Sequence, residues 1–182
     1  MKSVRKSLII ISLIIIAMFN GCSIKPYVPH YEVQISSNTP KVNYSVYIDE
    51  AQQEQINSDK YYQALFNALR QVTTQNSENK IRVTAIPFPA KPQLGWGITR
   101  FKYFVSDLKG NILYRTIVTT KYDIGMFPGV DGIYKALDIV TRNNIKEFIN
   151  RFTNYFSQHP NLINKDSSEE KVKPKKQNYY GR

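Results

Sequence analysis

Phe101-Lys102-Tyr103-Phe104-Val105-Ser106-Asp107-Leu108-Lys109-Gly110-Asn111-Ile112-Leu113-Tyr114 decides the fold. Aromatic and branched residues alternate with polar ones on either side of Asp107-Leu108-Lys109-Gly110. Aspartate opening the turn and glycine at its left-handed position suit a type I turn with a bulge. The spacing predicts a hairpin of two long strands, Ile98 to Ser106 and Asn111 to Tyr122. Phe101, Tyr103 and Val105 line one face of the first strand. Ile112, Tyr114, Thr116 and Val118 line one face of the second. Upstream, Ile81, Val83 and Ala85 alternate with Arg82 and Thr84, and Val42, Tyr44, Val46 and Ile48 alternate as well, so two more strands are expected. Tyr31, Val33 and Ile35 repeat the pattern weakly before Asn38-Thr39-Pro40 breaks it, which suits an edge strand.

Two helices complete the pattern. Ser58 is a good N-cap for a helix beginning near Asp59, with Tyr61, Tyr62, Leu65, Phe66, Leu69 and Val72 on one apolar face. Asp49 to Asn57 is polar and carries no stripe. Asp131 can cap a second helix from Gly132 to about Phe156, striped by Tyr134, Leu137, Ile145, Phe148, Phe152 and Phe156, with Pro160 just past its end. The expected fold class is α+β: a single small domain with a mostly antiparallel sheet of four to five strands and two helices packed on one face.

The 182 residues are 42% hydrophobic and 13% aromatic, which suits a folded domain with a real core. The formal net charge is +11 and is unevenly placed. Lys2, Arg5 and Lys6 are basic, and after His159 six basic residues stand against three acidic ones, leaving the middle with a net +5. Asn161 to Arg182 is lysine-rich and nearly devoid of apolar residues, so a disordered tail is expected from 159 onward.

The N-terminus is equally legible. Three basic residues precede an apolar run from Leu8 to Phe19, about a dozen residues and well short of the ~20 that span a bilayer. Gly21 follows, then Cys22, the only cysteine of the chain. This stretch resembles a bacterial lipoprotein signal with its lipobox, although Phe19 and Asn20 stand where leucine and alanine or serine are usual. The resemblance implies cleavage between Gly21 and Cys22 and a covalent lipid on the Cys22 sulfur. Ser23 in the family favours export to the outer membrane, so the expected location is that membrane, lipid-anchored and facing the periplasm. The segments then read as signal peptide 1–21, lipid-proximal tether 22–30, domain 31–158 and basic tail 159–182. With Cys22 lipidated, no internal disulfide remains to staple the fold.

The order of elements and the shape of the 101–114 hairpin resemble the small outer-membrane lipoproteins that plug the lipopolysaccharide-transport barrel. Lipoprotein activators of peptidoglycan synthases and auxiliary lipoproteins of lipid-transport systems have comparable domains. The resemblance implies an accessory of envelope assembly or transport. Fold alone does not give function.

No catalytic constellation is apparent. His30 and His159 are the only histidines, and no zinc spacing, nucleophile elbow or phosphate loop is present. Asp49, Glu50 and Glu54 form an acidic group that either favours a helix N-terminus or serves as acid, base or cation ligand. Trp96 between Gly95 and Gly97 is either an anchor at a loop tip or a lid on the core. Arg100 and Lys102 share a face of one hairpin strand, and Arg115 and Lys121 share a face of the other. If register joins these faces they form a basic stripe suited to phosphate; otherwise they are a solvated surface. The expectation is a non-enzymatic protein with no cofactor beyond its lipid. It would bind another envelope component through the sheet face or Trp96, or bind lipopolysaccharide or peptidoglycan directly. Nucleic acid is not an expected partner of an exported protein.

Overall fold

The computed structural model describes residues 26–48, 50–88, 95–125, 129–160 and 162–163. Gly21, Cys22 and the lysine-rich stretch from 164 lie outside the described residues. At the centre is the hairpin, β3 (Trp96–Asp107) and β4 (Ile112–Asp123). Its turn forms as its residues require. The Asp107 carboxylate accepts from the Asn111 N–H at 2.9 Å and the Asn111 side-chain amide at 2.7 Å. Gly110 takes a φ of +90°, open to glycine at no steric cost. Tyr114 faces Val105, but Ile112 faces Ser106, so β4 carries one extra residue there. That bulge turns Ile112 out to solvent, away from the core face on which alternation alone puts it.

β2 (Lys80–Pro87) pairs antiparallel with β3, and β1 (Ser45–Val46) pairs parallel with β2. The sheet thus has four strands in the order β1-β2-β3-β4. A parallel pair needs a crossover, which α1 (Glu50–Ser58) and α2 (Lys60–Val72) supply. The α1 helix is a third helix where two were expected. Glutamate, alanine and glutamines favour helix without needing an apolar stripe, so periodicity misses it. Its Gln52 amide reaches the Val83 carbonyl at 3.5 Å, and the Tyr62 hydroxyl of α2 donates to the Ala85 carbonyl at 2.8 Å, so the edge of β2 beyond short β1 is covered by side chains. The cap of α2 is Asp59, whose carboxylate accepts from the Tyr61 N–H at 2.7 Å.

The expected strand at 31–35 does not form. The Gln71 side chain instead accepts from the Ile35 N–H at 3.0 Å and donates to the Val33 carbonyl at 3.1 Å, satisfying that backbone one residue at a time while Val33 enters the core. The last helix, α3 (Val130–Gln158), begins two residues before the expected start; Asp131 lies in its first turn and Gly129 is its N-cap. The start of the expected tail packs: the Tyr44 hydroxyl donates to the carbonyls of His159 and Pro160 at 3.1 and 3.2 Å and accepts from the Leu162 N–H at 3.2 Å, while Leu162 and Ile163 lie against the core.

α2 and α3 cover the same face of the sheet. Tyr103 stacks on Phe148 at 3.9 Å, Phe101 on Tyr61 at 4.2 Å and Tyr114 on Tyr155 at 4.5 Å. Within this aromatic core sits one polar relay. The Tyr61 and Tyr103 hydroxyls are 2.6 Å apart, Tyr103 donates to the fully buried Asn144 at 2.6 Å, and the Asn144 amide donates to the Val118 and Thr99 carbonyls at 3.0 and 3.3 Å. Desolvation pushes both phenols up from their ordinary pKa, so they stay protonated.

Candidate functional site: the open sheet face

Because Phe101, Tyr103 and Val105 point at the helices, Arg100, Lys102 and Phe104 must point away from them. The register decides what joins them. Arg100 lies opposite Thr119, Lys102 opposite Ile117, Phe104 opposite Arg115 and Ile98 opposite Lys121. Facing residues share a face, so Arg100, Lys102, Arg115 and Lys121 stand together on the side of the sheet that no described helix covers. Arg82, opposite Ser106 on β2, joins them. Its parity was visible in the alternation of 81–85, but only pairing with β3 shows that it extends the same patch.

Rings are interleaved with these charges. The Arg100 guanidinium carbon lies 4.6 Å from the Phe88 ring centre. The Lys102 ammonium is 5.6 Å from the ring of Phe88 and 5.6 Å from that of Phe104. Arg82 lies 6.0 Å from the Tyr47 ring. Such contacts are worth about 0.5–1 kcal/mol each where solvent reaches them, and they help hold the cations in place. Arg100 Nε is shielded from solvent and has no hydrogen-bond partner among the described residues. Ile86 and Ile117 add exposed apolar surface. Asp123, on the same face at the Trp96 end, has its carboxylate engaged with the Gly125 N–H at 2.8 Å.

Trp96 is not at a loop tip. It opens β3 opposite Asp123 and is 44% exposed at the end of the open face. The adjacent Gly97 lies so close to α3 that a Cβ there would be 3.2 Å from the Ala136 methyl. Of the acidic group, Asp49 lies outside the described residues, and Glu54 rides α1. No group of three or more His, Cys, Asp or Glu residues among the described ones is placed to hold a metal ion.

A second feature had no sequence signal, because three separate segments make it. Lys60 and Gln63 of α2, Arg142 and Lys146 of α3, and His30 and Glu32 of the N-terminal segment line a groove of about 810 Å³ on the helix side. The expected tether is fastened beside it. The Tyr27 ring stacks on Tyr134 at 4.2 Å, its hydroxyl donates to Asp138, and the His30 N–H donates to the same carboxylate oxygen at 3.1 Å.

No family model matches this chain, and no curated protein matches it. Among solved structures it resembles a Xanthomonas campestris protein of the DUF330 family, with TM-score 0.50 and 8% identity over 73% of this chain and 97% of that one. It is also similar to a minor lipoprotein from Acinetobacter baumannii, with TM-score 0.41 and 14% identity over 72% of this chain and 95% of that one. The first of these likenesses shows a shared α+β fold.

Proposed function

We propose that the chain is a non-catalytic lipoprotein, anchored through Cys22 to the periplasmic side of the outer membrane, that binds another component of the cell envelope through its open sheet face. The observation behind this reading is the register that gathers Arg82, Arg100, Lys102, Arg115 and Lys121 with Phe88 and Phe104 on the uncovered side of the sheet. Such a surface suits a partner with both negative charge and flat or apolar parts. The leading partner class is a protein of envelope assembly or transport. The interleaving of guanidinium and ring also favours a second reading, direct binding of an anionic envelope ligand such as lipopolysaccharide or peptidoglycan.

Photo-crosslinking in intact cells from position 117, at the centre of the face, tests the proposal, with position 154 on α3 as the control. A specific envelope protein captured from 117 and not from 154 supports the leading reading. Lipid or glycan captured from 117, in a manner lost at high salt, supports the second. Identical products from both positions would remove the sheet face from the account.

A further inference from the structure

α3 has 29 residues and α2 has 13, so at 1.5 Å per residue α3 runs about 43 Å and α2 about 20 Å. The shorter helix cannot accompany the longer one along its whole length. Where α2 lies alongside, the apolar stripe of α3 is sealed: Ile145, Phe148, Phe152 and Phe156 are fully buried. Toward the N-terminus the same stripe continues as Val130, Ile133 and Leu137, which are 56%, 43% and 38% exposed. Spacings of three and four put these three side chains on one side of the helix. A large-residue apolar stripe left open over two turns implies something that covers it.

The N-terminal segment runs beside this open stripe. Tyr27 and His30 fasten the N-terminal segment to Tyr134 and Asp138, and Pro26 and Val28 share a crevice with Val130 and Asp131. The exposed Val28 adds to the same patch. Four peptide units separate Pro26 from Cys22, a reach of at most about 14 Å. On the anchoring reading above, on which this inference rests, the first turns of α3 cannot be far from the lipid. The charges lining this crevice cancel: Lys135 and Arg142 stand against Asp131 and Asp138, so apolar contact rather than charge would bring the end to a surface. We infer that the N-terminal half of α3, through Val28, Val130, Ile133 and Leu137, rests in the interfacial layer of the bilayer that holds the Cys22 lipid. This contact fixes the domain's orientation and leaves the sheet face turned away from α3 and free for its partner. Amphipathic helix faces of this kind sink about 5–10 Å into the headgroup boundary.

The test uses the mature lipidated protein in phosphatidylethanolamine–phosphatidylglycerol vesicles. Since Cys22 is the only cysteine, Ile133→Cys and, separately, Asn154→Cys each provide one free thiol for an environment-sensitive fluorophore. Both positions are exposed, and circular dichroism of each labelled protein checks that it is folded. The expected result is loss of emission at 133 with acyl-chain-brominated lipid and unchanged emission at 154, in vesicles that retain the protein through a high-salt wash. Retention with no quenching at 133 overturns the inference while the anchor stands. Protection of 133 from an aqueous quencher without bromolipid quenching also overturns it, assigning the cover to a second copy or another protein. Loss of the protein from the vesicles overturns the anchoring reading and this inference together.

Discussion

Replacing Asn144 should cost more than any substitution of a surface residue, because this side chain ties α3 to the sheet from inside the core. Its amide donates to Val118 and Thr99, and its carbonyl accepts from Tyr103. Each buried hydrogen bond contributes about 1 kcal/mol net, so Asn144→Ala loses about 3 kcal/mol. In a domain of this size that lowers Tm by roughly 10 °C. Tyr103→Phe keeps the ring on Phe148 but removes the hydroxyl that links Tyr61 to Asn144, a loss of about 2 kcal/mol. The two residues share one bond, so the double variant should be more stable than the summed losses predict by about 1 kcal/mol. Urea unfolding of all four proteins, followed by far-UV circular dichroism, measures the cycle. Additivity within about 0.3 kcal/mol would refute the relay as a coupled unit.

Other perturbations separate the remaining claims. Arg115→Gln and Lys121→Gln should each weaken binding to anionic vesicles or lipopolysaccharide by about fivefold at low salt, at roughly 1 kcal/mol per cation removed from such a surface, with Tm unchanged; equal affinity would discard the anionic-ligand reading. The buried Tyr61 and Tyr103 have pKa values raised by desolvation above the unfolded value near 10. The unfolded chain therefore releases these protons first, so their contribution is intact below about pH 10 and is lost as pH climbs beyond it. Phenolate absorbance at 295 nm should show part of the tyrosine amplitude appearing only with loss of ellipticity; complete titration in the folded state would contradict that burial. A chain ending after Ile163 should match the full chain in thermal stability, whereas one ending after Pro160 should lose about 1–2 kcal/mol with the Leu162 contacts to Tyr44 and the core; indistinguishable melting curves would mean that those contacts hold nothing.

The hairpin was legible because local chemistry specifies it: Asp107 and Gly110 set the turn, and alternation sets the faces. The apolar stripe of α2 was equally plain. The N-terminal stretch from Tyr31 misled because alternation reports which side chains go inward, not what the backbone pairs with, and there the partner is the Gln71 amide. α1 gave no periodic signal because a polar helix beside a sheet edge needs none. Leu137 belongs by spacing to the core stripe of α3; only the lengths of neighbouring helices reveal that it emerges. The basic stripe was half legible. Parity placed Arg100 with Lys102 and Arg115 with Lys121, but the merging of the pairs depends on a cross-strand register set by the turn and its bulge, and Arg82 enters only through β2.

β4 is twelve residues long and has no neighbour on its far side among the described residues. Arg151 hydrogen-bonds to the Ile117 carbonyl at 3.2 Å and Tyr155 to that of Leu113 at 3.2 Å, while Arg115 and Lys121 stand out from the strand. Charge along an open edge keeps one chain from adding to another. Two cations of the proposed binding face are therefore also what discourages the protein from pairing with itself. On the proposed function, neutralising these residues would do two things at once: it would weaken the hold on an anionic partner and invite strand-to-strand polymers, so the binding role and the solubility of β4 rest on the same charges.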